Sequence, residues 1–223
     1  MKSPTVYPKF YEMLTPQNAA LLLIDHQSGI MQGVHDFKPV ELKNNVIALA
    51  SLGKIFNLPT IITASYAQGP NGPIIPEIIN MYPDLEVIHR TVINSWGYAP
   101  FVAAVEKTGR RKLIMAGVTT DVCLAFPAIS AAQAGYDVYA VYDASGSWDV
   151  MSQQCAINRM IQAGVKVVNW VAVAAELQKD WTLPTGPQLA RLFADHLTFY
   201  SMLIASHQAA ANAHKKIIEK LPN

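Results

Sequence analysis

The chain has 223 residues, of which 51% are hydrophobic and 15% are charged, and its formal net charge at neutral pH is +1. This length and composition are typical of one large α/β domain or two small ones with a sizeable core. The balanced charge argues against nucleic acid or a membrane surface as a partner. No apolar run reaches the roughly 18 residues that a membrane span needs.

Apolar runs bounded by turn residues predict strands at residues 19–24, 59–64, 85–89, 112–116, 137–142 and 165–170. Helical periodicity predicts intervening helices at residues 40–56, 76–81, 98–107 and 150–163, with one more that follows Gly117 and ends at Gly135. The alternation predicts an α/β class protein. Its architecture is a three-layer α/β/α fold with a six-stranded, doubly wound parallel sheet and helices on both faces.

Residues 171–223 follow the last strand and also look largely helical. Their apolar stripe recurs at helical spacing and comprises Leu189, Leu192, Phe193, His196, Leu197, Tyr200, Leu203 and Ile204. We interpret this segment as a C-terminal helical oligomerisation extension of a single domain spanning residues 1–223. It would pack on a neighbouring subunit, and the alternative is packing on its own domain.

The chain contains two cysteines, Cys123 and Cys155. So few cysteines argue against a disulfide framework and favour a reducing compartment. Residues 1–18 carry three prolines and form a surface lead-in without the apolar core of a signal peptide. These features predict a cytoplasmic protein.

Cys123 lies in the stretch LIMAGVTTDVCLAFPAISAA, where a buried strand meets the start of a helix. Backbone N–H groups without partners and the positive end of the helix dipole both favour a thiolate. The sequence therefore predicts a lowered pKa and a nucleophilic thiol at Cys123. The alternative is a buried, inert cysteine; Cys155, within a helical pattern, is interpreted as structural.

Two further reactive side chains follow predicted strands. Asp25 comes after the first strand and Arg90 after the third. Because ligands of open α/β sheets bind at the carboxyl ends of the strands, we expect both residues near Cys123. Asp25 is a candidate to accept the thiol proton, and Arg90 to hold a carboxylate or a developing oxyanion. The alternatives are a loop-capping aspartate and a surface ion pair.

The segments LLLIDHQ, HRTVINSW and AGVTTDVC resemble the three signature segments of the isochorismatase-like cysteine hydrolases, which include nicotinamidases. Shorter pieces resemble the YcaC-related branch of that superfamily, namely FNLPTI, GPNGP, AFPAISA, DASG and RMIQAG. The likeness runs from about residue 19 through the C-terminal helices. The combination of segments is specific, whereas no single piece is.

The resemblance implies a catalytic triad that attacks an amide or a related carbon. It assigns the base to Asp25 and the nucleophile to Cys123, and it puts Arg90 where the family has lysine. Because arginine keeps its proton near neutral pH, Arg90 is expected to stabilise charge rather than to donate a proton. The resemblance further implies a cis peptide bond between Val118 and Thr119. The N–H groups of Thr119 and Cys123 would then form an oxyanion hole.

The family's nicotinamidases hold a metal with an aspartate and histidines soon after strand two. The matching segment here, TASYAQG, has neither residue type, so no metal is expected. Neither a GxGxxG nor a P-loop pattern occurs, so no nucleotide cofactor is expected. Asn94 and Trp96 are candidates to line the substrate pocket, with ordinary packing as the alternative.

The sequence thus favours a metal-independent cysteine hydrolase acting on a small amide-like or imide-like C–N bond. The resemblance also implies a homo-oligomer larger than a dimer, a tetramer or an octamer, with a small molecule as substrate. Two other hypotheses stay open. One is a thiol redox or stress protein without hydrolytic turnover, and the other is an assembly protein whose site has decayed through the change at Arg90.

Overall fold

A computed structural model of the chain describes residues 12–218. The lead-in predicted at residues 1–18 therefore falls mostly outside the described residues, as does the end of the C-terminal extension at residues 219–223. None of the helices in the described part is long and apolar enough to cross a membrane.

The predicted parallel sheet is confirmed. Its six strands stand in the order β3-β2-β1-β4-β5-β6, and every pairing is parallel. The strands are β1 (Ala19–Ile24), β2 (Thr60–Ser65), β3 (Ile88–Arg90), β4 (Lys112–Gly117), β5 (Asp137–Val141) and β6 (Lys166–Val168). The strand order reverses between β1 and β4, so the carboxyl ends of these two central strands form the switch point where such sheets bind ligands.

Helices cover both faces of the sheet. Within residues 12–218 they are α1 (Ser28–Met31), α2 (Pro39–Ile55), α3 (Pro76–Met81), α4 (Ala99–Lys107), α5 (Ala125–Gln133), α6 (Val150–Gln162), α7 (Trp170–Gln178), α8 (Gly186–His196) and α9 (Thr198–Ile218). Side chains of β1 alternate between two cores. Leu21 and Leu23 pack with α2, α7 and α8, whereas Leu22 packs with α4, α5 and α6. The two cores give the predicted three layers.

Two edge strands differ from their predicted positions. β3 begins at Ile88 rather than at residue 85, because its register with β2 pairs only the segment that ends at Arg90. β6 ends at Val168, because the Asn169 side chain accepts a hydrogen bond from the Ala172 N–H (2.7 Å) and starts α7. An apolar run alone does not show where β3 begins or β6 ends. These ends are set by the hydrogen-bonded pairing of the strands and by the capping of α7.

The C-terminal extension divides into two parts. α7 and α8 pack on the chain's own domain, the alternative considered from the sequence, and they place Trp170, Leu189 and Phe193 in its core. α9 extends beyond that core and exposes three large apolar side chains on its first turns, namely Phe199, Met202 and Leu203. For α9, contact with a neighbouring subunit stays a prediction.

Candidate active site

The carboxyl edge of the sheet brings Asp25, Arg90 and Cys123 together. Asp25 directly follows β1, Arg90 ends β3, and Cys123 lies in a short π-helical turn, Thr120–Leu124, that follows β4. Because β2 separates β1 from β3, Arg90 must reach across two strand spacings, about 10 Å. Only a long side chain covers that distance.

Arg90 and Asp25 form a fully buried ion pair. Arg90 Nη2 lies 2.5 Å from Asp25 Oδ2, and both side chains have 0% exposure. Arg90 Nη1 donates to the carbonyl of Val92 and to that of Ile93, the latter at 2.8 Å. Arg90 is thus held by protein groups. Of the roles considered from the sequence, binding a substrate carboxylate does not fit these contacts, and neither does a surface ion pair.

Asp25 has one oxygen in use and one free of conventional partners. Oδ2 accepts from Arg90, whereas the buried Oδ1 has no hydrogen-bond partner among the described residues. Burial raises the pKa of Asp25 above its ordinary value, and the Arg90 guanidinium, the Cys123 thiol and a hydrogen bond from the Ser65 backbone partly counteract that rise. The backbone of Asp25 is left-handed, with φ of 57°, a conformation that aspartate tolerates better than most residues.

Cys123 is buried next to Asp25, and the predicted lowering of its pKa is wrong. Burial raises the pKa of the Cys123 thiol well above its ordinary value, and the neighbouring Asp25 carboxylate raises it further. A hydrogen bond from the Thr119 backbone and the charge of Arg90 lower the pKa, but their effect is smaller. The lowering of the pKa that the helix start would cause does not outweigh the rise caused by burial and by Asp25. The raised pKa therefore favours a neutral thiol in the resting site.

Gly117 allows the turn that carries Cys123, Thr120–Leu124 (the nucleophile turn), to fold tightly against β4. A Cβ atom at Gly117 would lie 3.1 Å from the backbone of Cys123 and of Leu124, closer than nearly all real contacts. The peptide bond between Val118 and Thr119 is cis. The Thr119 backbone reaches the Cys123 thiol, whereas the Thr120 N–H is already bonded to the Gly146 carbonyl (2.8 Å). Thr119 is therefore the better placed of the two threonines to donate to an oxyanion.

A short segment after β5, residues 144–147, fixes this turn from the other side. The Ser145 hydroxyl accepts from the Gly117 N–H (3.0 Å) and donates to the Val141 carbonyl (2.8 Å). The Ser147 hydroxyl donates to Asp121 (2.9 Å), next to Thr120. The sequence alone indicates no role for Ser145 or Ser147, although the DASG segment that contains Ser145 is part of the family resemblance.

His26 connects the same segment to the end of β1. Its Nε2 donates to the Ala144 carbonyl (3.0 Å), which makes Nε2 the protonated nitrogen of the neutral ring. Burial lowers the pKa of His26 to about 4, so the ring is neutral at physiological pH. His26 therefore adds no positive charge beside Asp25.

Asn94 and Trp96 lie on the loop that follows Arg90. The Asn94 side chain accepts from the Trp96 N–H (3.1 Å) and donates to the Ser130 hydroxyl on α5 (3.2 Å). The Trp96 ring packs edge-on against Tyr136 and Phe101, with centroid distances of 5.4 and 6.3 Å. These contacts support the packing alternative and hold the loop against α4 and α5. A substrate contact stays a prediction for both residues.

Two further observations concern sites considered from the sequence. Among residues 12–218, no group of three or more histidine, cysteine, aspartate or glutamate side chains is arranged to hold a metal ion. Cys155 is exposed on α6, in a groove that it shares with Asp121 and Arg159, rather than buried in the core. The two cysteines therefore occupy very different surroundings.

Comparison with known proteins places these features in a family. Residues 19–171 match the isochorismatase domain. The chain is 46% identical over 200 residues to the probable hydrolase YcaC of Escherichia coli (strain K12), covering 89% of this chain and 96% of that protein. The structure of that YcaC, described as an octameric hydrolase of unknown specificity, superposes with a TM-score of 0.87, covering 91% of this chain and 100% of the other.

A second solved structure is similar to the same extent. YcaC from Pseudomonas aeruginosa, solved with hexane-2,5-diol and covalent acrylamide, is 44% identical and superposes with a TM-score of 0.85. The superposition covers 89% of this chain and 98% of that one. The similarity extends over nearly the whole of both relatives.

Proposed function

The chain belongs to the isochorismatase family and is a hydrolase related to YcaC, and from that premise we propose that it cleaves a small amide-like or imide-like C–N bond with Cys123 as nucleophile. The reaction proceeds through a thioester acyl-enzyme and needs no metal. Asp25 is the base and Arg90 positions it, while the Thr119 and Cys123 N–H groups hold the oxyanion.

One observation carries this proposal. Asp25 Oδ1 is buried, has no conventional hydrogen-bond partner, and belongs to the carboxyl that interacts with the Cys123 thiol. A buried polar atom without a partner costs about 1–3 kcal/mol, so structural ion pairs are normally completed. An oxygen left free beside a thiol is what a proton acceptor requires.

The raised pKa values of both groups fit a proton transfer that accompanies attack. In the resting site the raised pKa favours the protonated thiol, because a thiolate would be buried and would also stand beside the Asp25 carboxylate. As the sulfur approaches the substrate carbonyl, its proton moves to Asp25 Oδ1 and the S–C bond forms. The two groups titrate as a pair, so the apparent pKa values of the reaction belong to both.

The remaining steps return the site to its starting state. The negative oxygen of the tetrahedral intermediate accepts hydrogen bonds from the N–H groups of Thr119 and Cys123. Each such donor stabilises the transition state by about 3–4 kcal/mol in similar sites. When the C–N bond breaks, Asp25 returns its proton to the leaving nitrogen. A water molecule, deprotonated by Asp25, then attacks the thioester and releases the acid, and the thiol regains its proton.

Arg90 supports this cycle without touching the substrate. Its bonds to Asp25, Val92 and Ile93 fix the carboxyl in place and keep the pKa of Asp25 from rising further. Lysine in that position would offer one compact charge, whereas the guanidinium fork reaches several acceptors at once. The change from the family lysine is therefore compatible with turnover in this proposal.

The relatives support the proposal of a reactive thiol. The Pseudomonas aeruginosa YcaC structure contains covalent acrylamide, a small uncharged amide with an electrophilic double bond. The Escherichia coli protein is described as a hydrolase of unknown specificity. We infer that the present chain shares the hydrolytic chemistry, and the substrate class is taken up below.

The proposal is tested by trapping the acyl-enzyme. A library of small amides and imides is incubated with the Cys155→Ser protein, quenched in acid and analysed by intact mass, with Cys123→Ala as the matched control. We expect one or more compounds to add their acyl mass at Cys123 and to release amine in steady state. A protein that modifies no compound while keeping its fold would favour the redox or assembly hypotheses instead.

We also propose that the chain assembles as a homo-oligomer larger than a dimer, through α9, and works in the cytoplasm with both thiols free. Phe199, Met202 and Leu203 are each more than half exposed on α9, and the Escherichia coli relative is an octamer. Deleting residues 198–223 removes α9 and keeps α8, whose apolar residues belong to the core. Light scattering should show a smaller assembly. An unchanged particle mass would contradict a role for α9.

A further inference from the structure

The charges around Cys123 restrict what can react there. We infer that the substrate is uncharged at the part that enters the site, and that a compound with a carboxylate next to its reacting carbon is rejected. This inference rests on the proposed function, because it names the substrate class of the same site. It follows from the contacts of Arg90, the buried cation beside Asp25, and from the charges on the surrounding loops.

The buried cation at the site is already engaged. Arg90 donates through Nη2 to Asp25 and through Nη1 to the carbonyls of Val92 and Ile93, while its buried Nε has no hydrogen-bond partner among the described residues. Its positive charge is balanced by the Asp25 carboxylate at 2.5 Å, so the pair together is close to neutral. A substrate carboxylate near Cys123 would meet no unbalanced positive charge from this side chain.

The loops at the carboxyl edge add no cation that faces the site. The segments that follow β2, β3, β4 and β5, residues 66–75, 91–98, 118–127 and 142–149, contain no lysine, arginine or histidine. Their charged residues are all acidic, namely Asp121, Asp143 and Asp149. An anion entering among these loops therefore meets no cationic side chain from them.

The segment after β1 and the helix beyond it do not change this balance. The buried His26 ring is bonded to the Ala144 carbonyl, and the exposed His35 bonds to the nearby Gly33 carbonyl. Lys38 is exposed at the start of α2. On α6, Arg159 stacks over the ring of Phe126, with 5.2 Å to its centroid. Among the described residues, none of these four side chains forms a hydrogen bond or an ion pair with Asp25 or Cys123.

Several large apolar side chains are exposed at this edge, beside the polar Gln68, Thr91 and Asp149. Large, substantially exposed side chains follow β2, β3 and β5, and they are Tyr66, Val92, Ile93 and Trp148. An entrance of this kind favours a compound with little charge, because desolvating a carboxylate without a partner costs far more than desolvating an amide. The loops and the buried Asp25–Arg90 pair thus both favour an uncharged compound over a carboxylate.

Two alkylating reagents of matched size test the inference. Iodoacetamide and iodoacetate carry the same iodomethyl group and differ in an amide against a carboxylate. With either one, Cys123 sulfur forms a bond to carbon, iodide leaves and the thiol proton passes to Asp25 and then to solvent. The thiolate fraction is the same for both reagents at one pH, so the ratio of their rates reports charge selection alone.

The rates are measured by intact mass on the full-length Cys155→Ser protein, with N-acetylcysteine amide as the reference thiol. We expect the iodoacetamide-to-iodoacetate ratio at Cys123 to exceed that of the reference by about tenfold or more, given the cost of placing an unpaired charge in a buried site. A ratio equal to or below the reference overturns the inference. Failure of both reagents overturns it too, since the site would then not admit a small amide.

A matched pair of variants locates the effect. Ile93 is 63% exposed, so its side chain can be replaced without disturbing the carbonyl that Arg90 bonds. Ile93→Lys should lower the ratio by about twofold or more through its added charge, whereas Ile93→Gln should leave it unchanged. Equal ratios for the two variants would contradict an electrostatic origin.

The outcome is separable from that of the proposed function. If no amide is hydrolysed but Cys123 still prefers the neutral reagent, the hydrolase proposal fails and the charge selection stands. If amides are hydrolysed and carboxylate-bearing amides are cleaved as well as their uncharged analogues, the hydrolase proposal stands and the inference fails.

Discussion

The two edges of the sheet each hold a carboxylate in an ion pair, and they treat it in opposite ways. The Asp25 side chain is fully buried, whereas the Asp137 side chain is 33% exposed. At the amino edge, Asp137 is bonded to Lys112 Nζ at 2.5 Å through one oxygen and to Lys166 through the other. Burial alone would raise the pKa of Asp137, but the two lysines lower it below its ordinary value. At the carboxyl edge, one oxygen of Asp25 has no conventional partner and the pKa is raised.

The difference distinguishes a carboxylate that only stabilises the fold from one that can still accept a proton. Both oxygens of Asp137 are occupied, so its proton affinity is low and nothing remains for it to accept. Asp25 has a single cationic partner and a thiol, so it keeps the capacity to take a proton. Charge completion is what stability favours, and its absence at the carboxyl edge fits the proposed role of Asp25 as a base.

The largest effect is expected for Asp25→Asn. The substitution keeps the shape and removes the base, so kcat/KM should fall by about 10²–10⁴-fold. Buried Arg90 also loses its counter-charge, so the free energy of unfolding should fall by about 3 kcal/mol. Steady-state kinetics on the folded fraction and urea unfolding measure the two effects. Activity within about twofold of the parent protein would remove Asp25 from the mechanism.

Arg90→Ala and Arg90→Lys should have the next largest effect. Loss of the charge that holds Asp25 should cost about 2–4 kcal/mol of transition-state stabilisation, measured from kcat/KM. Lysine at this position should restore part of that stabilisation. The Arg90 charge lowers the pKa of Asp25, so its removal raises that pKa, and the acid side of the pH–rate profile should move to higher pH. An unshifted profile for Arg90→Ala would contradict a positioning role.

Asp137→Asn is the matched change at the amino edge and should have the smallest effect. It leaves Lys112, whose side chain is 4% exposed, without its main partner. Glu12 stays within 3.4 Å of that lysine, and Lys166 is 39% exposed, so we expect a stability loss of about 2 kcal/mol rather than the larger cost of a fully buried pair. kcat/KM should stay within about twofold. A large loss of activity would link the two edges and break the comparison.

Most of the framework was predictable from the sequence because buried parallel strands are continuous apolar runs. β1 was predicted with its observed bounds, and β4 differed by one residue, since both are fully buried. β3 was displaced because Leu85 and Val87 are apolar without pairing, whereas Arg90 is charged and pairs with Ser65. Edge strands are decided by pairing, which a single sequence does not display.

The composition of the site was predictable, but its charge state was not. Strand ends placed Asp25, Arg90 and Cys123 together, because parallel strands bring their carboxyl ends to one edge. The pKa of Cys123 was predicted in the wrong direction, since local helix geometry was weighed without burial and without the Asp25 carboxylate. The contacts of Ser145 and Gly146 depend on a loop closing over β4, and neither periodicity nor spacing reports such a contact.

The segment of residues 144–147 has a consequence for how the molecule moves. It is bonded to β1 through His26, to the end of β4 through Gly117 and to the nucleophile turn through Thr120. Segments joined in this way open as one cooperative unit, and the amides inside that unit exchange with solvent only when all of it opens. We therefore expect the amides of the turn that carries Cys123 to be protected from exchange together with those of residues 144–147.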